Sequence, residues 1–283
     1  MDNNKKFIAL ITDFGDRSHF VGTMKGVMIT IDPDIKIFDI SHNIEPQNIL
    51  EAAFALSDTL KYWPKGTVFV VVVDPGVGLT RKSLVVKTRS GHIIVCPDNG
   101  ILTEVERVYG LEDIRMISET MNRLPGSDIF HTFHGRDIFA YDAARLASGI
   151  INIENIGFKM EDGIVRLMIQ PPALKYETII GVIVMVEHPF GNLCTNIPRS
   201  LVMELGIMTS EILQFEIFES EGLVHRGEVP FVRTFGEVKL KSTLAYIDSS
   251  NRLGLAVNMG NFSKEYKVSA GLTWQIRIKR AVS

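Results

Sequence analysis

Apolar and polar positions follow two different periods along the first 170 residues. The apolar runs KKFIALIT (5–12) and GTVFVVVV (66–73) predict buried strands. Between and after them, HFVGTMKGVMITI (19–31), PQNILEAAFALSDTL (46–60) and DIFAYDAARLASG (137–149) carry apolar residues at helical spacing. Strands that alternate with helices predict an α/β domain with a mainly parallel sheet covered by helices.

The pattern changes at IQPPALKYE (169–177), whose adjacent prolines interrupt both periods. Beyond it come short alternating runs with turn residues between them, among them TIIGVIVMV (178–186), ILQFEIF (212–218) and LGLAVNM (253–259). Such runs predict a small all-β domain, a barrel or a sandwich. The predicted organisation is therefore an α/β domain, a linker and a smaller barrel-like domain, over residues 1–170, 171–177 and 178–283.

Composition and charge narrow the functional classes. The chain has 283 residues and a net charge of −3, and its 30 Lys and Arg residues are scattered, so we expect neither a nucleic-acid nor a membrane partner. Only five apolar residues follow Lys5 and Lys6, too few for a signal peptide. Cys96 and Cys194 form no metal or redox motif. These features predict a reduced, cytoplasmic protein.

Candidate chemistry gathers where predicted strands end or a helix begins. The residues are Asp13 in LITDFGD, Asp74 and Arg81 in VDPGVGLTR, Asn99 in PDNG, and His134 in TFHGRD. Ligands of open α/β sheets bind beyond the carboxyl ends of the strands, so this placement favours a shared site. Taken singly, each segment also fits an ordinary turn, a strand-edge cation or a helix start.

Motifs exclude some reactions and leave one alternative open. The chain has no G-x-x-x-x-G-K-[ST], no G-x-G-x-x-G that opens a helix, and no G-x-S-x-G. P-loop, dinucleotide and nucleophile-elbow chemistry are therefore disfavoured. His131 and His134 are three residues apart, and the chain offers Asp13, Asp74 and Asp98 as oxygen ligands. A metal-dependent hydrolase is the alternative that this set leaves open.

Together the motifs resemble one family. LITDFG, VDPGVG-x-x-R, PDNG, TFHGRDIFA and FGN-x-x-TNI occur in this order between Leu10 and about Phe262. In this respect the chain resembles the S-adenosylmethionine hydroxide adenosyltransferases, adenosine-forming hydrolases related to fluorinase and chlorinase. The resemblance implies an N-terminal α/β domain, a C-terminal β-barrel, and a homotrimer with substrate sites at subunit interfaces.

The resemblance also implies a reaction and a catalytic set. Water or hydroxide attacks ribose C5′ of S-adenosyl-L-methionine, which yields adenosine and L-methionine without a cofactor or a metal. The family's Asp–Arg–His set corresponds to Asp74, Arg81 and His134. These residue types suit the chemistry, because the neutral thioether leaves without a proton and the site needs only a positioned, partly deprotonated water. The sequence does not decide which residue takes the proton.

Substrate contacts follow from the same resemblance. Asp13 corresponds to the carboxylate that holds the ribose hydroxyls, and Asn99 of the PDNG turn is assigned to the substrate as well. In the barrel, Glu187 and Ser250 correspond to the methionine end of the substrate. The adenine residues are then Phe190, Asn192, Asn258 and Gly260.

Three positions depart from the family pattern at the methionine end. Glu187 stands where relatives have Asp, Ser18 where many have Asp, and Asn251 where the halogenating enzymes have Arg. A halogenase on the same scaffold is one alternative function, although the retained Asp–Arg–His set argues against it. A non-catalytic sensor of adenosine or S-adenosylmethionine is another, and it would not need a water-activating cluster.

Overall fold

The computed structural model describes residues 6–281 and divides into two compact units, the first ending at Leu167 and the second beginning at Met168. The prediction of no signal peptide also rests on Lys5, which lies outside the described residues. The strands of the first unit are β1 (Phe7–Thr12), β2 (Lys36–Ser41), β3 (Val68–Val72), β4 (Ser83–Thr88), β5 (Ile93–Pro97), β6 (Leu111–Ile117) and β7 (Gly157–Lys159).

These seven strands form one mixed sheet with the spatial order β2-β1-β3-β5-β4-β6-β7. The first four strands in this order are parallel neighbours, whereas β4, β6 and β7 join by antiparallel pairings. The direction of β4 has a local cause: only four residues connect it to β5, and a parallel crossover needs a dozen or more. The α/β fold class expected from the sequence is confirmed.

Helices cover both faces of this sheet. They are α1 (Phe20–Ile31), α2 (Ile49–Leu60), α3 (Thr103–Tyr109) and α4 (Tyr141–Ala147), the last preceded by a π-helical turn at Gly135–Ala140. Side chains alternate along the strands, so Ile8 and Val70 join the core under α1 and α4, whereas Ala9 and Val71 join the core under α2 and α3. Both faces are therefore buried, which explains why β3 is apolar throughout.

The crossovers place a switch point between β1 and β3. The chain runs from β1 through α1 to β2 on one side, and then through α2 to β3 on the other side of β1. A crevice therefore opens beyond the carboxyl ends of β1 and β3, where ligands of such sheets bind.

The second unit is a nearly closed antiparallel barrel. Its strands are β8 (Ala173–Lys175), β9 (Thr178–Glu187), β10 (Asn192–Pro198), β11 (Ile212–Glu219), β12 (Gly222–Pro230), β13 (Thr243–Ile247), β14 (Arg252–Val257) and β15 (Trp274–Arg280). They follow the order β12-β11-β15-β9-β10-β14-β13, and β8 pairs with β9. A bridge between Phe231, just after β12, and Ala245 of β13 brings the two ends of this order together. The barrel expected from the sequence is confirmed.

Two short helices complete the second unit, α5 (Arg199–Glu204) and α6 (Phe262–Tyr266). The barrel core consists of inward side chains such as Ile183, Leu255 and Ile276. Within residues 6–281 the longest helices, α1 and α2, have 12 residues each, which is too short to cross a lipid bilayer.

Candidate active site

Two carboxylates flank the switch point of the α/β sheet. Thr12, the last residue of β1, pairs with Val72, the last residue of β3. Asp13 and Asp74 follow these paired residues by one and two positions, so the sheet itself brings the two side chains to the same edge. The Oδ2 atom of Asp13 accepts a hydrogen bond of 2.9 Å from the backbone N–H of Gln47, which fixes its carboxylate at the end of the strand.

The turn after β3 folds back so that Arg81 meets Asp74. The Arg81 Nε–H lies 3.0 Å from both carboxylate oxygens, and Nη2 lies 2.6 Å from Oδ2. Gly78, at φ +75°, is required here, because a Cβ at this position would lie 2.9 Å from the carbonyl oxygen of His131. The side chains of Asp74 and Arg81 are only 5% and 8% exposed, so water screens this ion pair weakly.

His134 joins this pair from the start of the π-helical turn. Its Nδ1 atom lies 2.8 Å from Nη2 of Arg81, and its side chain is 6% exposed. The two hydrogens of Nη2 thus serve two acceptors, Asp74 and His134. π-Helical turns next to α-helices, such as the one that begins after His134, are frequent at functional sites. The structure therefore brings together the three residues that the sequence assigned to catalysis.

A polar layer behind these residues escaped the sequence analysis. Nη1 of Arg81 donates to Ser83 Oγ at 2.7 Å, and Ser83 Oγ donates to Oε1 of Glu119 at 2.7 Å. Glu119 Oε2 in turn accepts from Nη2 of Arg123 at 3.3 Å. Glu119 and Arg123 lie in the segment after β6, which has neither a motif nor a hydrophobic period. The only available signal was their i, i+4 spacing of opposite charges, which is common on protein surfaces.

A cavity of about 800 Å³ opens in front of the cluster within the first unit. Asp13, Asp74 and His134 line it, together with Arg136 from the π-helical turn. Arg81 does not line it. Since its Nε–H, both Nη2 hydrogens and one Nη1 hydrogen are already engaged, Arg81 acts on the cavity through its neighbours. The cavity is large enough for a nucleoside-sized ligand.

Aromatic rings form the apolar part of the wall of this cavity. Phe14, Phe20 and Phe133 all line it, and their ring centroids lie 5.0 to 5.9 Å apart in tilted or edge-to-face pairs. Such packing holds the rings rigidly and keeps water away from the wall they form. The cavity thus combines a few polar groups, fixed at strand ends, with an apolar surface that lowers the local dielectric constant.

The surroundings of His134 favour its neutral form. Burial lowers the pKa of its imidazole, Arg81 and Arg123 lower it further, and Glu119 and Asp74 oppose this change. A neutral ring accepts at one nitrogen only, and the 2.8 Å contact with Arg81 assigns that role to Nδ1. The contact between Nε2 and Arg123 Nη2 is longer, 3.5 Å, so we place the ring hydrogen on Nε2. His134 then has no free lone pair for a proton from water.

The PDNG turn supports the site from the neighbouring strand. Asn99 does not line the cavity; its Nδ2 donates to the carbonyl oxygen of Val73, next to Asp74, at 2.9 Å. Asp98 Oδ1 accepts from the backbone N–H of Val165 at 2.8 Å, and burial raises the pKa of this carboxyl. The predicted contact between Asn99 and the substrate stays a prediction.

His131 and His134, the pair that left a metal site open, lie in different surroundings. Nδ1 of His134 is occupied by Arg81, whereas His131 is exposed. Within residues 6–281 no three or more His, Cys, Asp or Glu side chains are grouped as they would be around a metal ion.

In the barrel, five of the six predicted adenine or methionine residues lie around the β9–β10 turn and the end of β14. Glu187 Oε2 accepts from Asn192 Nδ2 at 3.0 Å, and Phe190 is 65% exposed at the tip of the turn. Asn258 follows β14, and its amide donates to the carbonyl oxygen of Val238. Gly260 lies two residues further on, before Ser263, whose N–H donates to the carbonyl of Gly191 in the turn.

Ser250 lies apart from this group. It sits in the β13–β14 turn, where its N–H donates to Asp248 Oδ1, at the opposite end of β14 from Asn258. Six strand residues span about 20 Å, so Ser250 and Asn258 do not belong to one compact cluster in the barrel. Asn251, beside Ser250, is exposed, and in the first unit the Ser18 hydroxyl donates to the carbonyl of Phe14.

The fold and this geometry define an α/β protein with a ligand site at the switch point of its sheet and a barrel as second domain. Residues 8–157 match the SAM hydroxide adenosyltransferase N-terminal domain, and residues 181–275 match the SAM hydroxide adenosyltransferase C-terminal domain. The chain belongs to the SAM hydroxide adenosyltransferase family.

Named relatives and a solved structure agree with this membership. An (R)-S-adenosyl-L-methionine hydrolase of Methanocaldococcus jannaschii is 33% identical over 93% of this chain and 92% of its own. A fluorinase of Nocardia brasiliensis is 27% identical over 98% of each chain. A crystal structure of a conserved protein from Thermotoga maritima superposes with a TM-score of 0.87 and 36% identity over 96% of this chain and 100% of its own.

Proposed function

We propose that the protein hydrolyses S-adenosyl-L-methionine to adenosine and L-methionine. The water oxygen bonds to ribose C5′ while the C5′–S bond breaks and its electron pair stays on sulfur. The sulfonium becomes the neutral thioether of methionine, so the leaving group needs no proton. One proton of the attacking water must leave, and the site has to accept it.

The single observation that carries this proposal is the position of Asp74. Its carboxylate lines the cavity, while Arg81 holds both of its oxygens from behind. An ionised carboxylate fixed in a largely apolar cavity is suited to orient a water and take up its proton. The lone pair of His134 is directed to Arg81, so Asp74 is the acceptor in this proposal and His134 supplies an N–H.

Asp13 supports the nucleoside part of the substrate. It lies across the switch point from Asp74, at a strand end where carboxylates bind ribose hydroxyls in other nucleotide sites. A ribose held there would bring C5′ towards the water on Asp74. Such alignment contributes much of the rate of a displacement, about 7–11 kcal/mol in favourable cases.

The relatives divide between two reactions, and Asp74 favours hydrolysis. A halide is an anion, and a buried carboxylate in the same cavity would repel it. The relatives named hydrolases carry the (R) designation at sulfur, so we include both sulfur epimers as candidate substrates. We further propose that the enzyme is cytoplasmic and needs neither a metal nor a cofactor. We also propose that the protein forms a homotrimer, in which barrel residues of one subunit complete the site of its neighbour.

The test is to incubate the purified protein with each epimer of S-adenosyl-L-methionine in the presence of a chelator. We expect adenosine and methionine in equal amounts by chromatography, and their loss in Asp74→Asn. The exposed residue Asp162 provides a matched control, Asp162→Asn, which should retain full activity. Binding without products would indicate a sensor. Formation of 5′-halogenated adenosine in halide buffer would indicate a halogenase. Activity that only a divalent ion restores would indicate a metallohydrolase.

A further inference from the structure

We propose that Glu119 and Arg123 are positioning residues that hold Arg81 and His134 in the arrangement described above, in which Nδ1 of His134 accepts from Arg81. This inference rests on the proposed hydrolysis for its kinetic consequences, but its structural content can be tested without turnover. Neither residue lines the cavity, so both would act through the residues that do.

The hydrogen bonds behind Arg81 run in one direction, from Arg81 as donor through Ser83 to Glu119 as acceptor. Arg81 can only donate, so Ser83 Oγ accepts from it and its own hydrogen is free to go to Glu119. Ser83 is 1% exposed, so its hydroxyl depends on these two protein partners for its hydrogen bonds. The chain of donors therefore ends on the carboxylate of Glu119. Removing that acceptor would leave the Ser83 hydroxyl, and through it one N–H of Arg81, without a fixed partner.

Arg123 links the same carboxylate to the cavity wall. Its Nη2 lies 3.3 Å from Glu119 Oε2 and 3.5 Å from His134 Nε2, and its Nη1 donates to the carbonyl oxygen of Phe130 at 3.1 Å. The side chain is 11% exposed. Phe130 lines the cavity, so Arg123 connects its loop to the layer behind Arg81. One guanidinium thus contacts the carboxylate, the imidazole and the loop.

The charges of this layer balance around the imidazole. The charged groups that face His134 are Asp74 after β3, Arg81 before β4, and Glu119 and Arg123 after β6. Glu119 Oε1 lies 3.9 Å from Nδ1 and favours the protonated ring, whereas Arg123 disfavours it. Glu119 and Arg123 therefore act on the pKa of His134 with opposite signs, so variants that remove one charge or the other should shift it in opposite directions.

The first test follows the imidazole directly by NMR. Nitrogen-15 shifts of His-labelled protein report the tautomer, and His134→Gln identifies the His134 signals among the seven histidines. We expect Nε2 to carry the hydrogen in the wild type. We expect Glu119→Gln to lower the pKa of His134 and Arg123→Gln to raise it, because the first removes a negative charge beside the ring and the second a positive one. An unchanged pKa in both variants, or shifts of the same sign, would overturn the proposal.

The second test uses turnover and separates positioning from binding. Glu119→Gln replaces one acceptor oxygen with an NH2 donor, so Ser83 and Arg123 cannot both keep their acceptor. It should lower kcat by about 10-fold or more and leave KM within about twofold, as expected for a group that orients others. Glu112→Gln, which removes a carboxylate from an exposed ion pair on β6, is the matched control and should behave as wild type. Wild-type kcat in Glu119→Gln would count against the proposal.

The two tests also separate this proposal from the proposed function. If the wild type does not hydrolyse S-adenosyl-L-methionine, the function fails and the NMR titration alone decides on the positioning role. Should Glu119→Gln not fold, Ser83→Ala removes the hydroxyl that links Arg81 to Glu119. It should lower kcat with KM retained, and a normal kcat in Ser83→Ala would refute the inferred link.

Discussion

Nη2 of Arg81 lies 2.8 Å from Nδ1 of His134, and the same nitrogen lies 2.6 Å from Oδ2 of Asp74. One guanidinium group therefore orients both polar side chains that face the cavity from this side. Because its fork is planar, the positions of Asp74 and His134 are coupled. Arg81 itself does not line the cavity, so we expect it to affect a bound ligand through these two side chains.

The first prediction concerns this fork. Arg81→Lys retains the positive charge but cannot reach Asp74, Ser83 and His134 together, since an ammonium group has no rigid geometry. We expect kcat to fall roughly 10- to 100-fold, with KM nearly unchanged, in steady-state assays. Arg233→Lys, at an exposed position, is the control. Full turnover in Arg81→Lys would show that charge alone is sufficient.

The second prediction concerns the proposed proton acceptor. Asp74→Asn keeps the shape of the side chain and removes its charge, so turnover should fall by roughly 10²-fold or more, the effect of a lost acid–base group. Affinity for S-adenosyl-L-methionine should change far less. The double variant with His134→Ala should cost little more than the worse single variant, because the groups act as a unit. Turnover, affinity and melting temperature must be measured on the same samples, since a simple turn residue would alter only stability.

Part of this site could be predicted from the sequence, because the end of a strand can be recognised from the residues next to it. The apolar runs of β1 and β3 end next to Asp13 and Asp74, and parallel pairing then brings the two carboxylates together. Glu119 and Arg123 had no such signal. They reach Arg81 because β6 pairs with β4, a tertiary contact that no periodicity near residue 119 announces. The reversed direction of β4 was predictable in principle from its short connection to β5.

The third prediction tests the shared site that the family resemblance implies. If Asn192 of one subunit completes the site of its neighbour, a mixture of Asp74→Ala and Asn192→Ala chains contains some hybrid sites with both residues intact. Mixing the two inactive variants, with subunit exchange verified by mass, should restore measurable activity. Each variant incubated alone provides the control. No recovery in fully exchanged oligomers would place Asp74 and Asn192 in the same chain's site.

The fourth prediction is the pH dependence of turnover. Burial, Arg81 and Arg123 lower the pKa of His134 below its ordinary value of 6.5, against Glu119 and Asp74. In the proposed arrangement turnover requires the neutral ring, so the midpoint of the acid-side decline of kcat should lie below pH 6.5. Protonation places a positive charge against Arg81 and breaks the hydrogen bond at Nδ1. An acid limb of the kcat profile centred above pH 6.5 would contradict this assignment.

The same shift predicts the sign of a stability change. In the unfolded chain His134 takes up its proton near pH 6.5, whereas the folded protein resists protonation to lower pH. The unfolded state therefore binds more protons in this window, and stability falls as pH drops through it. Urea unfolding of the wild type and His134→Gln between pH 7.5 and 5 should show a weaker decline in the variant.

The last prediction concerns a buried carboxyl away from the cavity. Asp142 on α4 is fully buried; its Oδ1 accepts from Arg145 Nη1 at 3.0 Å, and its Oδ2 has no hydrogen-bond partner among residues 6–281. Burial raises the pKa of Asp142 to about 8, against the attraction of Arg145. The folded protein therefore keeps a proton that the unfolded chain loses near pH 4, and this group costs stability as pH rises from about 4 to 8.

Asp142→Asn removes that titration while it preserves the shape of the side chain. The free energy of unfolding should then decline less between pH 5 and pH 8 than in the wild type, where one proton contributes a slope of about 1.4 kcal/mol per pH unit. Urea titrations at several pH values measure the slope, and Asp162→Asn at an exposed position serves as the control. Equal slopes in the wild type and Asp142→Asn would mean that Asp142 is ionised across this range, with Arg145 compensating for its burial.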